Sequence, residues 1–333
     1  MRWSGGAVLV AMVLACECLA VPPRKDINPA LLYFQAFTLF PELDENESAL
    51  IGRDAVGALT EEERELTRRF DSAFKLIHRA RTMKAPCDWG TDIADGPEAF
   101  MPKFTKIRTA ARVGILRARA ALAAGQQTQA RDELLAISAL GHNGASSATL
   151  VGTMIQVAVD GLILDFTQGH FDELKPQIRA ELTAGLNGAP PRRTVADALV
   201  NEQAGFSDWL TDKLESVRAK ENGEAKALEE FRALMAGTFR NESDLAERII
   251  EASGGTSAGL IRYVRSLEKY FDRALRIARA PASDMKRETA DFEKAINTST
   301  NLLVRAVMPN IGKARQKELE FEARLKRLPD SPP

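Results

Sequence analysis

Cysteine, histidine and aromatic residues are all scarce in this chain. It holds three cysteines and three histidines in 333 residues, and aromatics make up 6%. The histidines are scattered, at positions 78, 142 and 170, and give no zinc-ligand spacing. Neither sign of charge is in excess: 45 Lys plus Arg stand against 46 Asp plus Glu, a net of −1. That balance removes the positive field on which nucleic-acid binding depends. Apolar residues alternating with period two are missing over any strand-length window, so no sheet is expected. What abounds instead is Ala, Leu, Arg and Glu, side chains that lose little freedom in a helix. With 45% hydrophobic and 27% charged residues the composition is that of a folded soluble chain.

The first twenty residues, "MRWSGGAVLVAMVLACECLA", read as an address. Arg2 supplies the charge, an apolar run extends from Ala7 to Ala15, and Cys18-Leu19-Ala20 offers small residues at −3 and −1 before Val21. This predicts a secretory signal peptide over residues 1–20. The alternative is cleavage before Cys16, giving a lipid-anchored envelope component, although Leu14 is bulky for that signal. Cleavage after Ala20 leaves Cys87 as the one remaining thiol, which excludes an internal disulfide.

The rest reads at helical spacing. Asn28-Pro29 opens a helix with proline at its first position. An acidic segment, "ELDENES", follows. Thr60 and Glu63 form a capping box before a long helix striped by Leu66, Phe70, Phe74 and Ile77. From about 104 to 124 one face carries Ile107, Ala111, Ile115, Ala118 and Leu122, and another carries Arg108, Arg112 and Arg119, expected to be solvated and paired with Glu. Gly125 turns the chain, and Ala130, Leu134 and Ile137 face inward on the return, so residues 104–140 predict an antiparallel helical hairpin. "SSATLVGTMIQVAVDGLILDFTQG" is apolar almost all round, the mark of a helix buried on several sides. A membrane span is disfavoured by Gln156 and Asp160, since a central Asp costs about 3 kcal/mol on insertion. "NGAPPRR" at 187–193 is the candidate hinge. Val195, Leu199, Phe206, Leu210, Leu214 and Val217 stripe the helices beyond it. The last helix, "KARQKELEFEARLKRL", is expected to be largely solvated. The division is thus a helical hairpin domain over 21–190, a C-terminal helical region over 191–328 and a disordered tail at 329–333.

Chemistry-bearing residues cluster in "KAPCDWGTDIADGP". Asp88, Asp92 and Asp95 suggest calcium, but their spacing of four then three departs from the alternate-position acids of an EF-hand. The favoured reading is a structural clasp. Trp89 fills a gap between helices, Asp88 caps backbone N–H groups, Gly90 and Gly96 take positive φ, and Pro97 starts the next helix. Cys87 with His78 or His142 as base is the hydrolase alternative; no cysteine-protease signature surrounds it. His78 reads as a packing or surface residue, His142 as closing a turn, and His170 as a helix-end cation. Asp160, alone in an apolar helix, needs a hydrogen-bond partner or an arginine. No cofactor is implied.

The hairpin "RARAALAAGQQTQARDELLAISAL" resembles a tetratricopeptide unit, with Ala118, Ala121 and Ala130 allowing close approach. The longer string from Cys87 through Leu140 resembles a family of uncharacterised exported bacterial helical proteins. There a Cys-Asp-Trp-Gly loop, here Cys87, Asp88, Trp89 and Gly90, and a Gly-Pro step, here Gly96-Pro97, precede such a hairpin. "TLVGTMIQVAVD", "YFDRALRI" and "NTSTNLLVRAVMPNIGKAR" are similar to later parts of that family. The resemblance implies export and an all-helical fold, and no catalysis. The expectation is an all-α protein of antiparallel helical hairpins stacked as an irregular TPR-like array. It would serve as a scaffold or a binder of a protein or peptide in the cell envelope.

Overall fold

The computed structural model describes residues 26–52, 59–239 and 244–328. The expected signal peptide, with Cys16, and the tail at 329–333 lie outside the described residues. Among the described residues every regular element is helical and none is a strand. In chain order the α-helices are α1 (Pro29–Thr38), α2 (Glu45–Leu50), α3 (Glu61–Arg69), α4 (Asp71–Arg81), α5 (Phe104–Ala123), α6 (Gln127–Gly144), α7 (Leu150–Gly169) and α8 (Pro176–Asn187). Then come α9 (Val195–Glu202), α10 (Trp209–Arg218), α11 (Gly223–Thr238), α12 (Leu245–Ala252), α13 (Ser257–Arg265), α14 (Glu268–Arg279), α15 (Ala282–Asn297), α16 (Leu302–Val307) and α17 (Ile311–Arg327). A 3₁₀ turn lies at Ile93–Glu98 and a π turn at Gln203–Asp208.

Helix starts follow local chemistry. The Asn28 side chain accepts the N–H of Ala30 at 3.0 Å, and Pro29 fills the first position. Thr60 and Glu63 form their box with bonds of 3.1 and 2.8 Å. The same device, Asp44 with Glu47, starts α2, so the acidic segment "ELDENES" leads into a helix of its own. The long helix expected after Thr60 breaks at Phe70 into α3 and α4.

The α5–α6 hairpin follows the sequence pattern. Moving away from the turn at Gly125, Arg117 meets Glu133, Gly114 meets Ile137 and Gly144 meets Ile107, the order of antiparallel neighbours. The closest approach is at Gly114, where a Cβ would stand 2.4 Å from Ile137 Cγ2. A side chain there would push the helices apart. The arginine stripe does not behave as one face: Arg108 is exposed, whereas Arg119 is buried beside Glu63 at 3.6 Å.

Buried apolar side chains form two clusters. One is built from α1 and α3 to α8, the other from α9 to α16. The last helix, α17, serves both. Ile311 and Ala314 belong to the second cluster, and Phe321 and Leu325 to the first. The expectation of a solvated α17 is therefore corrected. Its few apolar residues fall at helical spacing with Glu318 in the same buried line, and a charged residue inside the stripe masks it in the sequence. Among the described residues α7 is the one helix long and apolar enough to cross a membrane. It packs against α5, α6, α9 and α17.

Candidate functional site

The loop between α4 and α5 is built around Trp89, which is buried. Its ring stacks near Tyr33 and Phe37, with centroids 5.7 and 6.3 Å away, and meets Phe34 edge-on at 5.1 Å. Its indole N–H donates to the carbonyl of Asn143 at 2.6 Å, and the Asn143 amide donates to the Tyr33 hydroxyl at 3.0 Å. Asn28 reaches across to the loop: its side chain donates to the Asp88 carbonyl at 2.6 Å and accepts the Asp88 N–H at 3.1 Å. One asparagine thereby caps α1 and fastens the loop. Asp88 and Asp92 each accept the N–H two residues on, from Gly90 at 2.8 Å and Ala94 at 2.9 Å. These carboxylates face their own turns. Among the described residues no three His, Cys, Asp or Glu side chains gather closely enough to hold a metal ion, so Asp88, Asp92 and Asp95 do not converge.

Gly90, Gly96 and Gly125 have φ of 73°, 61° and 73°. A Cβ on Gly96 would stand 2.4 Å from the Trp209 ring, so the loop also packs on the start of α10. Pro97 lies within the 3₁₀ turn Ile93–Glu98 instead of opening α5, which begins at Phe104. Cys87 is half-buried, and that burial pushes its thiol up to about 12. A thiol so shifted is a poor nucleophile near neutral pH.

Both imidazoles proposed as its base are held elsewhere. His142 lies in the last turn of α6, where its carbonyl accepts the Ala145 N–H at 3.1 Å. Its Nδ1 is 2.7 Å from the Pro190 carbonyl, and its Nε2 is 2.9 and 3.1 Å from the two oxygens of Asp160. A carbonyl only accepts, so Nδ1 carries a proton. Ser138 donates to Asp160 Oδ1 at 3.2 Å, and Arg192 Nε stands 3.2 Å from Asp160 Oδ2. The Arg192 guanidinium lies over Phe321 at 4.1 Å. Asp160 is 1% exposed and His142 2%. Serine, histidine and aspartate are the residue types of a hydrolytic triad, but here aspartate is central and no bond joins serine to histidine. With no free imidazole nitrogen, and with His142 and Asp160 both buried, the group is a latch.

The latch holds residues 187–193. Gln156 pairs with the backbone of Arg193 in both directions, each at 3.0 Å. Beyond it the Val195 N–H, at the start of α9, donates to Glu318 at 3.0 Å. The "NGAPPRR" segment expected as a hinge is thus strapped to α6, α7 and, through Phe321, α17. Glycine and proline marked its irregular backbone correctly; the carbonyl of Pro190 and the side chain of Arg192 are what fix it.

His78 makes a second pair. Its Nε2 is 3.0 Å from Glu133 Oε2, and Glu133 is 2% exposed. The other Glu133 oxygen accepts from Arg117 Nε at 3.1 Å. Arg117 also donates to Asp71 at 2.5 Å and to the Thr67 carbonyl at 3.2 Å, and it lies 4.6 Å above the Phe74 ring. This pair borders an open groove of about 810 Å³, whose wall includes Gln126, Gln129, Arg131, Lys175 and Glu181. His78 Nδ1 carries no hydrogen bond among the described residues. Glu133 and Arg117 are not evident in the sequence as site residues. The available signal was a charged residue next to the inward positions Ala130, Leu134 and Ile137, which demands a buried partner. His170 ends α7, with its Nδ1 3.0 Å from the Phe166 carbonyl and its ring stacked on Phe166 at 4.5 Å.

Comparison with known proteins adds nothing to this geometry: no family model, no curated protein and no solved structure matches the chain.

Proposed function

We propose that this is an exported, non-enzymatic helical scaffold that binds a protein or peptide partner in the cell envelope. The observation that carries the reading is the open polar groove of about 810 Å³ beside the α5–α6 turn. Its wall is fixed before any ligand arrives. Gln127 donates to the Glu173 carbonyl at 2.8 Å and accepts the Lys175 N–H at 2.9 Å, so the α7–α8 connection is tied to the turn. Preorganised walls reduce the ordering cost of binding. The tight α5–α6 hairpin, continued by α7 and α8, supports an irregular TPR-like stacking. The apolar run from Ala7 to Ala15 and the small residues before Val21 support export, and the −1 net charge favours a protein over a nucleic-acid partner.

The test is capture from the organism's own envelope extract by the processed protein and by a Gln129→Trp variant that fills the groove. A partner retained by the first and lost by the second supports the reading; equal retention by both overturns it. Mass spectrometry of the mature N-terminus decides the form of export. Val21 is expected there, and an acylated Cys16 would replace the soluble form by the anchored one.

A further inference from the structure

The groove's charges are largely spent on one another. Arg131 pairs with Glu181 and with Asp132, the latter at 2.9 Å. Arg81 lies 3.5 Å from Asp132. Arg117 joins Glu133 and Asp71. Lys175 alone among the groove's cations has no ion pair among the described residues, and it stands exposed at the rim. A ligand therefore meets few uncompensated charges. It meets uncharged polar groups: the exposed amides of Gln126 and Gln129, the Thr128 hydroxyl, and the His78 ring.

His78 differs from the others in being fixed. A buried carboxylate on Nε2 selects the tautomer whose proton sits on that nitrogen and holds the ring plane. The Nδ1 lone pair is then left as an oriented acceptor in a wall whose arginines are already paired. Glutamines at the rim both donate and accept, as a peptide main chain does. We propose that His78 is the recognition group of the groove, accepting a main-chain N–H from an extended, uncharged peptide segment. The glutamines pair with the neighbouring amides. This rests on the peptide-binding reading above and narrows it to a ligand class: polar, neutral and read through its backbone. Such binding is nearly independent of salt, because screening acts on charges that the ligand does not have.

The experiment is a titration of the full processed protein, followed by the imidazole ¹⁵N resonances. The probes are three acetylated, amidated hexapeptides: alternating serine and asparagine, hexaglutamate and hexalysine. The neutral peptide is expected to shift the His78 Nδ1 resonance, with a Kd that changes by less than about threefold between about 20 and 500 mM salt. His78→Phe should weaken it by about five- to tenfold, the loss of one hydrogen bond. Four results overturn the proposal: a charged peptide binding tighter than the neutral one, a steep salt dependence, unchanged affinity in His78→Phe, or no binding of the neutral peptide. If His78→Phe does not fold, the Nδ1 shift in the wild-type protein decides the matter alone. Envelope capture that depends on Gln129 would leave the broader reading standing even if the neutral peptide fails, so the two failures are distinguishable.

Discussion

Among the described residues there are two carboxylate–imidazole pairs with an arginine at each, and they differ in what the second ring nitrogen does. At Asp160–His142 that nitrogen is bonded to the Pro190 carbonyl and the group is sealed. At Glu133–His78 it is unbonded and the ring borders a groove. The chemistry is alike, so the surroundings decide the role. Where both ring nitrogens are bonded within the fold, the pair holds elements together. Where one is left over at a solvent opening, an acceptor remains for the peptide binding proposed above.

The comparison is broken or sharpened most strongly at the sealed pair. Asp160→Ala leaves His142 and Arg192 without their shared carboxylate and is expected to cost about 3–5 kcal/mol. Urea unfolding measures the loss, and limited trypsin digestion should cut at Arg192 or Arg193 as the strap loosens. At the open pair, Glu133→Ala should cost less, about 2 kcal/mol, because His78, unlike His142, is partly exposed and retains access to water. Equal losses at the two sites would show that sealing does not separate them.

A smaller effect is expected at the far end of the strap. Burial raises the Glu318 carboxyl, against the bonds from Arg315 and the Val195 N–H that pull it down. A carboxyl raised on folding stabilises the native state below its unfolded value of about 4.3, and that contribution is lost as pH rises through the folded value. Glu318→Gln should therefore remove part of the fall in stability between mildly acidic and neutral pH, as read from unfolding midpoints in a pH series. An unchanged pH profile would show that Glu318 is ionised in both states. The smallest effect is at Cys87. With its thiol at about 12, labelling of the folded protein near pH 8 should run at least about a hundredfold slower than for a free thiol. Rapid labelling would return Cys87 to the candidates for chemistry.

Much of the fold was legible because it rests on local rules. Asn28-Pro29, Thr60 with Glu63, and Gly125 each act within one turn of helix, and the sequence displays them directly. The Asp160 requirement was legible too, as a demand for some partner. Which partner met it was not: His142 lies 18 positions away and Arg192 lies in a proline-rich strap with no helical register. Glu133 was hidden among charged neighbours, and α17 concealed its buried stripe behind Glu318.

By itself the sequence determined that this protein is helical and where several of its helices start and turn, because spacing, capping and backbone freedom are properties of neighbours along the chain. Only the tertiary structure decided which polar groups meet across it. Hydrogen bonds between distant helices depend on how those helices pack, and that packing sealed one imidazole pair and left the other facing a groove.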